Sequence, residues 1–237
     1  MNKSLMRAMM LWLTLLSVHA TAGVVIGGTR FIYSEGMSSL SIPLRNTSAS
    51  AWLISSHIQS ASRWAGAEHA PSPSPASSWW VTPPLFTLAG GQENTLRIIH
   101  SGPPLPENRE SLMTLSIAAI PSGKVSNNSV QMAYRSAMKL IYRPLGLTGD
   151  PQHAYQQLRW TLHATGLTVR NPTPYYVTLF MLRTNDAPVD SAGVVAPFSS
   201  RETGWCSQAT ACHLRWQSIN DYGRVMPEEE INVVRRR

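Results

Sequence analysis

The chain has little cysteine, little charge and almost no long apolar run, and each shortage excludes something. Two of 237 residues are cysteine and 14% are charged. Beyond residues 8–18, no stretch approaches the roughly 18 uninterrupted apolar residues of a membrane-spanning helix, so membrane insertion is not expected. Sustained helical periodicity is missing, which argues against a helical bundle. The sequence also lacks G-x-S-x-G, H-E-x-x-H, G-x-x-x-x-G-K-[ST] and G-x-G-x-x-G, which removes the usual sequence grounds for an enzyme. Glu107 and Glu110 flank Arg109 and could form an acid/base pair, but a charged cluster behind Pro106 reads more simply as a paired or solvated loop. The histidines, His57 and His163 among them, share no spacing. Cys206, Cys212 and His213 lack the fourth ligand of a structural zinc site, so no metal or cofactor is expected. Basic residues outnumber acidic ones, 20 to 13, yet Arg235-Arg236-Arg237 is the only run of three, and nucleic acid is not an expected partner.

What is present begins with an address. Lys3 and Arg7 precede the apolar residues 8–18, and Ala20-Thr21-Ala22 follow, the pattern of a secretory signal peptide over residues 1–22 cleaved before Gly23. Export to an oxidising compartment makes a Cys206–Cys212 disulfide the expectation, stapling a hairpin through residues 207–211.

The rest reads as short strands with β-branched and aromatic residues alternating with polar ones. Residues 39–45, 51–58, 94–99, 112–118, 130–142, 159–165 and 175–182 have the length and spacing of sandwich strands. Pro71, Pro73 and Pro75 interleave with serines before Trp79-Trp80, and proline donates no ladder hydrogen bond, so residues 71–78 read as a loop. Gly146, Gly149, Asp150 and Pro151 mark a stronger break. The fold class is therefore all-β, with an N-terminal domain over 23–144, a linker over 145–151 and a C-terminal domain over 152–237, each of immunoglobulin size.

Several longer strings resemble one family. Gly27-Gly28-Thr29-Arg30-Phe31-Ile32-Tyr33 is similar to the first strand of the periplasmic pilus-assembly chaperones. Thr82-Pro83-Pro84-Leu85-Phe86, Gly91-Gln92-Glu93-Asn94-Thr95-Leu96-Arg97-Ile98, Leu105-Pro106-Glu107-Asn108-Arg109-Glu110-Ser111-Leu112, Ala119-Ile120-Pro121, Lys139-Leu140-Ile141-Tyr142-Arg143-Pro144 and Ile219-Asn220-Asp221-Tyr222-Gly223 follow in family order. The resemblance implies two immunoglobulin-like sandwiches set at an angle and a periplasmic protein that handles pilus subunits without catalysis. It further implies that the protein lends a strand to an incomplete pilin and delivers the subunit to an outer-membrane usher. Val130, Met132 and Tyr134 give their strand one apolar face, which could pack the chain's own core or serve as that donated strand. The resemblance favours donation. It also implies that Arg30 and Lys139 anchor a subunit's C-terminal carboxylate, and that Glu110, Arg143 and Asp221 form an interdomain ion-pair network. Lys139 lies an odd number of residues from Val130, which places them on opposite faces of a regular strand, and a bulge would be needed to align them. The polar connection 122–129 resembles that of members with a short loop there. The competing reading is a secreted two-domain adhesin or carbohydrate-binding protein in which Trp79-Trp80 stack on sugars.

Overall fold

The computed structural model describes residues 23–70, 76–123 and 131–235. The expected leader at 1–22, residues 71–75 of the Pro/Ser stretch, residues 124–129, Val130 and the last two arginines lie outside the described residues.

The first domain is a sandwich of two sheets. One sheet runs β1 (Val24–Ile26), β3 (Leu40–Asn46), β7 (Glu93–His100), β5 (Trp79–Thr82), with antiparallel neighbours. The other runs β2 (Arg30–Ser34), β9 (Tyr134–Arg143), β8 (Ser111–Pro121), β4 (Trp52–Ser60), β6 (Leu85–Leu88), and here β2 pairs with β9 in parallel. Alternation sets the faces: in β3, Ile42 and Leu44 are fully buried while Ser41, Pro43 and Arg45 face out. They join Leu96, Ile98, Met113, Leu115, Ile117 and Leu140 in one core. β8 is buried on both faces, because its other side, through Leu112, meets the second domain.

The second domain contains β10 (Arg159–His163), β11 (Gly166–Arg170) and β16 (Ser200–Thr203) in one sheet, and the short pair β12 (Val177–Thr178) with β15 (Val194–Val195). A third sheet runs β14 (Ala187–Pro188), β13 (Phe180–Thr184), β17 (Ala211–Gln217), β18 (Glu229–Val234). Its core is separate from the first and gathers Tyr155, Leu167, Val169, Leu182, Val195 and Leu214.

Two expectations need correction. The strand expected over 175–182 is broken between two sheets: β12 pairs with β15, β13 pairs with β17, and Met181 adopts φ 48° at a register shift. Val177, Thr178 and Leu179 are all buried, and the buried parity then shifts, with Met181 out and Leu182 in, so the break in pairing is also a break in alternation. The Cys206–Cys212 disulfide is present, but it does not staple a hairpin. β16 and β17 belong to different sheets, and positive φ at Cys206 (56°) and Gln208 (63°) turns the intervening chain away from the β16 ladder. The bond therefore ties a sheet-to-sheet crossing to fully buried Cys212.

The domains meet at a small apolar cluster of Ala67, Leu112, Ile141 and Val194, flanked by Trp64 and Tyr176.

Candidate functional site

The parallel β2–β9 register sets Arg30 directly beside Lys139. Even-numbered β9 residues Met138, Leu140 and Tyr142 enter the first core, whereas Ile141 turns to the interdomain cluster. Strand alternation thus sends Lys139 and Arg143 toward the second domain as well. The Arg30 guanidinium reaches across to that domain, donating to Ile219 O, Asn220 O (3.2 Å) and Thr178 Oγ1 (2.7 Å). Burial lowers its pKa, and a guanidinium remains charged regardless. Lys139 Nζ lies 4.0 Å from the centroid of the Trp64 ring. Burial, and secondarily the charge of Arg30, push the ammonium down to about 8. Among the described residues no carboxylate pairs with Lys139. A cavity of about 530 Å³ opens beside it, lined also by Trp64, Thr178 and Ile219. Two desolvated cations stand side by side, neither within ion-pair distance of a carboxylate among the described residues, an arrangement suited to an anion.

Directly behind this pair, Arg143 joins the domains. Its Nε donates to Glu110 Oε1 (2.7 Å), and its two terminal nitrogens grip Asp221 at 2.6 and 2.9 Å. The other Glu110 oxygen accepts the Tyr176 amide at 2.7 Å, and the Glu110 amide donates to Pro174 O at 2.9 Å. Loop 171–176 can present those groups because buried Asn171 pins it, donating to Tyr175 O (2.7 Å) and accepting from the Thr173 amide (3.0 Å). Asn220 acts likewise in the turn before Gly223, where its Oδ1 accepts the amides of Tyr222 and Arg224 and so fixes Asp221. Glu110 is fully enclosed, and burial raises its carboxyl to about 7 against the opposing pull of Arg143 and the Tyr176 amide. Against the lowering effect of burial, the Asp221 and Glu110 carboxylates raise Arg143 above the ordinary arginine value.

The third element is an edge. β8 pairs with β9 from Tyr134 onward, but β2 covers the opposite side of β9 from Lys139 only. Among the described residues, Tyr134–Met138 therefore has no strand on that side, and an open groove between β9 and β1 runs along Val24, Ile26, Ser136 and Met138. Met132 is 76% exposed. Tyr134 is held in place: its hydroxyl donates to Val24 O (3.0 Å) and accepts the Val24 amide (2.6 Å), and its ring packs edge-on against Trp52. The bulge expected before Lys139 is absent between Tyr134 and Lys139, because the β8–β9 register is unbroken there.

Other candidates disperse. Glu107 is exposed while Glu110 is locked in its ion pair, so the two make no acid/base couple. Trp79 is buried against Tyr33 at 5.2 Å and only Trp80 is exposed, so the pair offers no paired stacking platform for a sugar. Residues that sequence reasoning missed include Trp64, Thr178, Tyr176 and Arg201. None sits in a spacing that marks it; the fold alone brings them to the cleft.

Residues 23–148 match a family described as pili and flagellar-assembly chaperone, PapD N-terminal domain, and residues 153–230 match the pili assembly chaperone PapD C-terminal domain. Over 213 residues the chain is 48% identical to the uncharacterized fimbrial chaperone YcbF of Escherichia coli K12, spanning 90% of this chain and 89% of that one. The periplasmic chaperone SfaE superposes with a TM-score of 0.68 at 32% identity, over 90% of this chain and all of that one. The Salmonella enterica SafB chaperone, solved in complex with the SafA pilin, does so with a TM-score of 0.73 at 27% identity, over 88% and 95% of the two chains.

Proposed function

The chain belongs to the pilus-assembly chaperone family, and we propose that it works in the periplasm, holding pilin subunits by lending them part of β9 before passing them to an outer-membrane usher. The observation that carries this reading is the half-covered β9, whose open edge at Tyr134–Met138 leads straight to the Arg30/Lys139 pair. An unpaired edge offers alternating N–H and C=O groups to an incoming strand, which supplies affinity with little sequence demand. Tyr134, on the sandwich side of β9, together with Met132 and Val130 before it in the sequence, would enter the gap of an incomplete partner. The carboxylate that closes the partner's chain would meet Arg30 and Lys139, which fixes the register. Register matters because a one-residue slip turns every apolar side chain to the wrong face.

In this mechanism the Arg143 network sets the cleft, and Arg30, held by Ile219 O, Asn220 O and Thr178 Oγ1, adds a charge-assisted pair with the carboxylate. No bond is made or broken covalently. Co-expression with a pilin tests the reading: wild-type protein should yield a stable complex, and Lys139→Ala should lose it while remaining folded. Equal complex yield from wild type, Arg30→Ala and Lys139→Ala would remove the anchor from the mechanism.

A further inference from the structure

Between β4 and β5 the chain makes an excursion that the chaperone reading leaves unused. Residues 61–63 and 67–69 form two short 3₁₀ turns, the first against β8 of the first domain and the second against β15 of the other. Ala65 O accepts the Val194 amide at 2.8 Å. The Arg201 guanidinium donates to Ala65 O (3.4 Å), Val194 O (3.3 Å) and Ala192 O, binding the excursion and the β15 strand together. Approach is so close that a Cβ on Gly66 would stand 2.0 Å from Val194 O, and one on Gly193 would stand 2.0 Å from Ala65 O. Both glycines also have positive φ, at 90° and 80°.

Trp64, one residue before this clasp, is carried into the cleft, where its ring faces Lys139 Nζ at 4.0 Å. The Arg63 guanidinium stands 5.7 Å from the same ring. The buried indole N–H makes no hydrogen bond among the described residues, so packing and the π face hold the ring where it is.

We propose that Trp64 is a positioning residue for the carboxylate anchor: its ring holds the Lys139 ammonium in the cleft, and the Ala65–Arg201 clasp makes that position depend on the second domain. Arg30 is already tied to the second domain through Ile219 O and Thr178. Both cations of the first domain are then aligned by the second, and a partner's carboxylate meets them already converged. The inference rests on the anchor reading given above. A cation on an aromatic face gains about 0.5–2 kcal/mol, which converts to roughly two- to thirtyfold in affinity.

A pair of probes isolates the effect: a short synthetic peptide of alternating apolar residues with a free C-terminal carboxylate, and the same peptide as its C-terminal amide. The ratio of their affinities reads the anchor alone, because strand pairing contributes equally to both. Wild type should favour the acid by about tenfold or more. Trp64→Leu, which keeps apolar bulk without a π face, should cut that ratio about two- to thirtyfold, and Trp64→Phe should restore most of it. A merely structural wedge would be satisfied by Leu and would move both peptides together, which would overturn the inference. Lys139→Ala separates the two claims: an unchanged ratio there overturns the anchor itself and the inference with it. An independent readout needs no ligand: the Lys139 side-chain methylene protons next to Nζ should show an upfield ring-current shift in NMR spectra. That shift should vanish in Trp64→Leu and persist in Trp64→Phe; its absence in wild type also overturns the inference. The clasp is probed by Gly193→Val, which should weaken the acid preference as Trp64→Leu does, and an intact preference would uncouple the second domain from Lys139. Charges that also face Lys139 are Arg30 from β2, Arg63 from the excursion and Asp190 across the cavity, so all comparisons are made at one pH and ionic strength.

Discussion

Tyr134 and Lys139 lie five residues apart on one unbroken strand and therefore face opposite sides of its sheet. This division assigns two tasks to β9. In the proposed mechanism its sandwich side would address the partner's interior and its cleft side the partner's terminus, and the odd spacing that argued for a bulge is what those two tasks would require.

The exposure of Met132 and the anchoring of Tyr134 predict different phenotypes. Met132→Glu should leave thermal unfolding of the free protein unchanged and weaken pilin binding about hundredfold or more, since a lone carboxylate would enter an apolar groove. Tyr134→Phe should cost the free protein about 1 kcal/mol through its Val24 contacts. Urea unfolding and complex yield check both; unfolding of free Met132→Glu would show that the side chain belongs to the chain's own core.

Lys139 predicts a pH dependence. Its folded pKa of about 8 lies below the ordinary 10.5, so the unfolded chain binds the proton more tightly, and this group makes stability rise between about pH 8 and 10.5. Carboxylate capture has the opposite sign, being present while the ammonium is charged and lost as pH rises through about 8. Calorimetric titration in buffers of different ionisation enthalpy should register proton uptake on binding near pH 8.5, and Lys139→Arg should abolish it. Binding that stays flat from pH 7 to 9.5 would contradict the assignment.

The clasp glycines predict a graded stability series. Gly36 has φ 83° and open space where a Cβ would stand, so Gly36→Ala should cost about 1 kcal/mol from backbone strain alone. Gly66→Ala and Gly193→Ala add a collision with a carbonyl from the other domain and should each cost about 2 kcal/mol more. Equal losses at all three positions would mean that the interdomain contact is loose.

For the disulfide, the closed loop is small, and chain-entropy reasoning gives about 2 kcal/mol. The Cys206→Ala/Cys212→Ala double variant should unfold at lower denaturant yet bind pilin with wild-type affinity, because the bond lies at a sheet crossing away from Arg30 and Lys139. Intact mass after alkylation of exported protein should show no modified thiol.

Much of the first domain was legible because alternation reports one buried face: β3, with Ile42 and Leu44 inside, and β7, with Leu96 and Ile98, follow it closely. The strand at 175–182 misled because its continuous run of strand-forming residues hides the left-handed Met181, where the chain changes partner and the buried parity slips from Leu179 to Leu182. The cysteine loop misled because sequence proximity suggests a hairpin, whereas left-handed residues redirected the chain to another sheet. Arg30, Lys139, Glu110, Arg143 and Asp221 were reached through family resemblance, not through spacing, and the fold brings all five to one cleft. Trp64 left no trace of its place: Arg63-Trp64-Ala65-Gly66 reads as loop, and only the approach of Val194 and Arg201 gives it meaning.

The two apolar cores share no residue and communicate through a four-residue cluster and a handful of polar contacts. Substitutions deep in one half should therefore add independently to those in the other. Over evolutionary time each half is free to drift at its own pace. The exceptions are the matched positions at the seam, Arg143 with Asp221 and Gly66 with Gly193, where a change on one side would call for an answering change on the other.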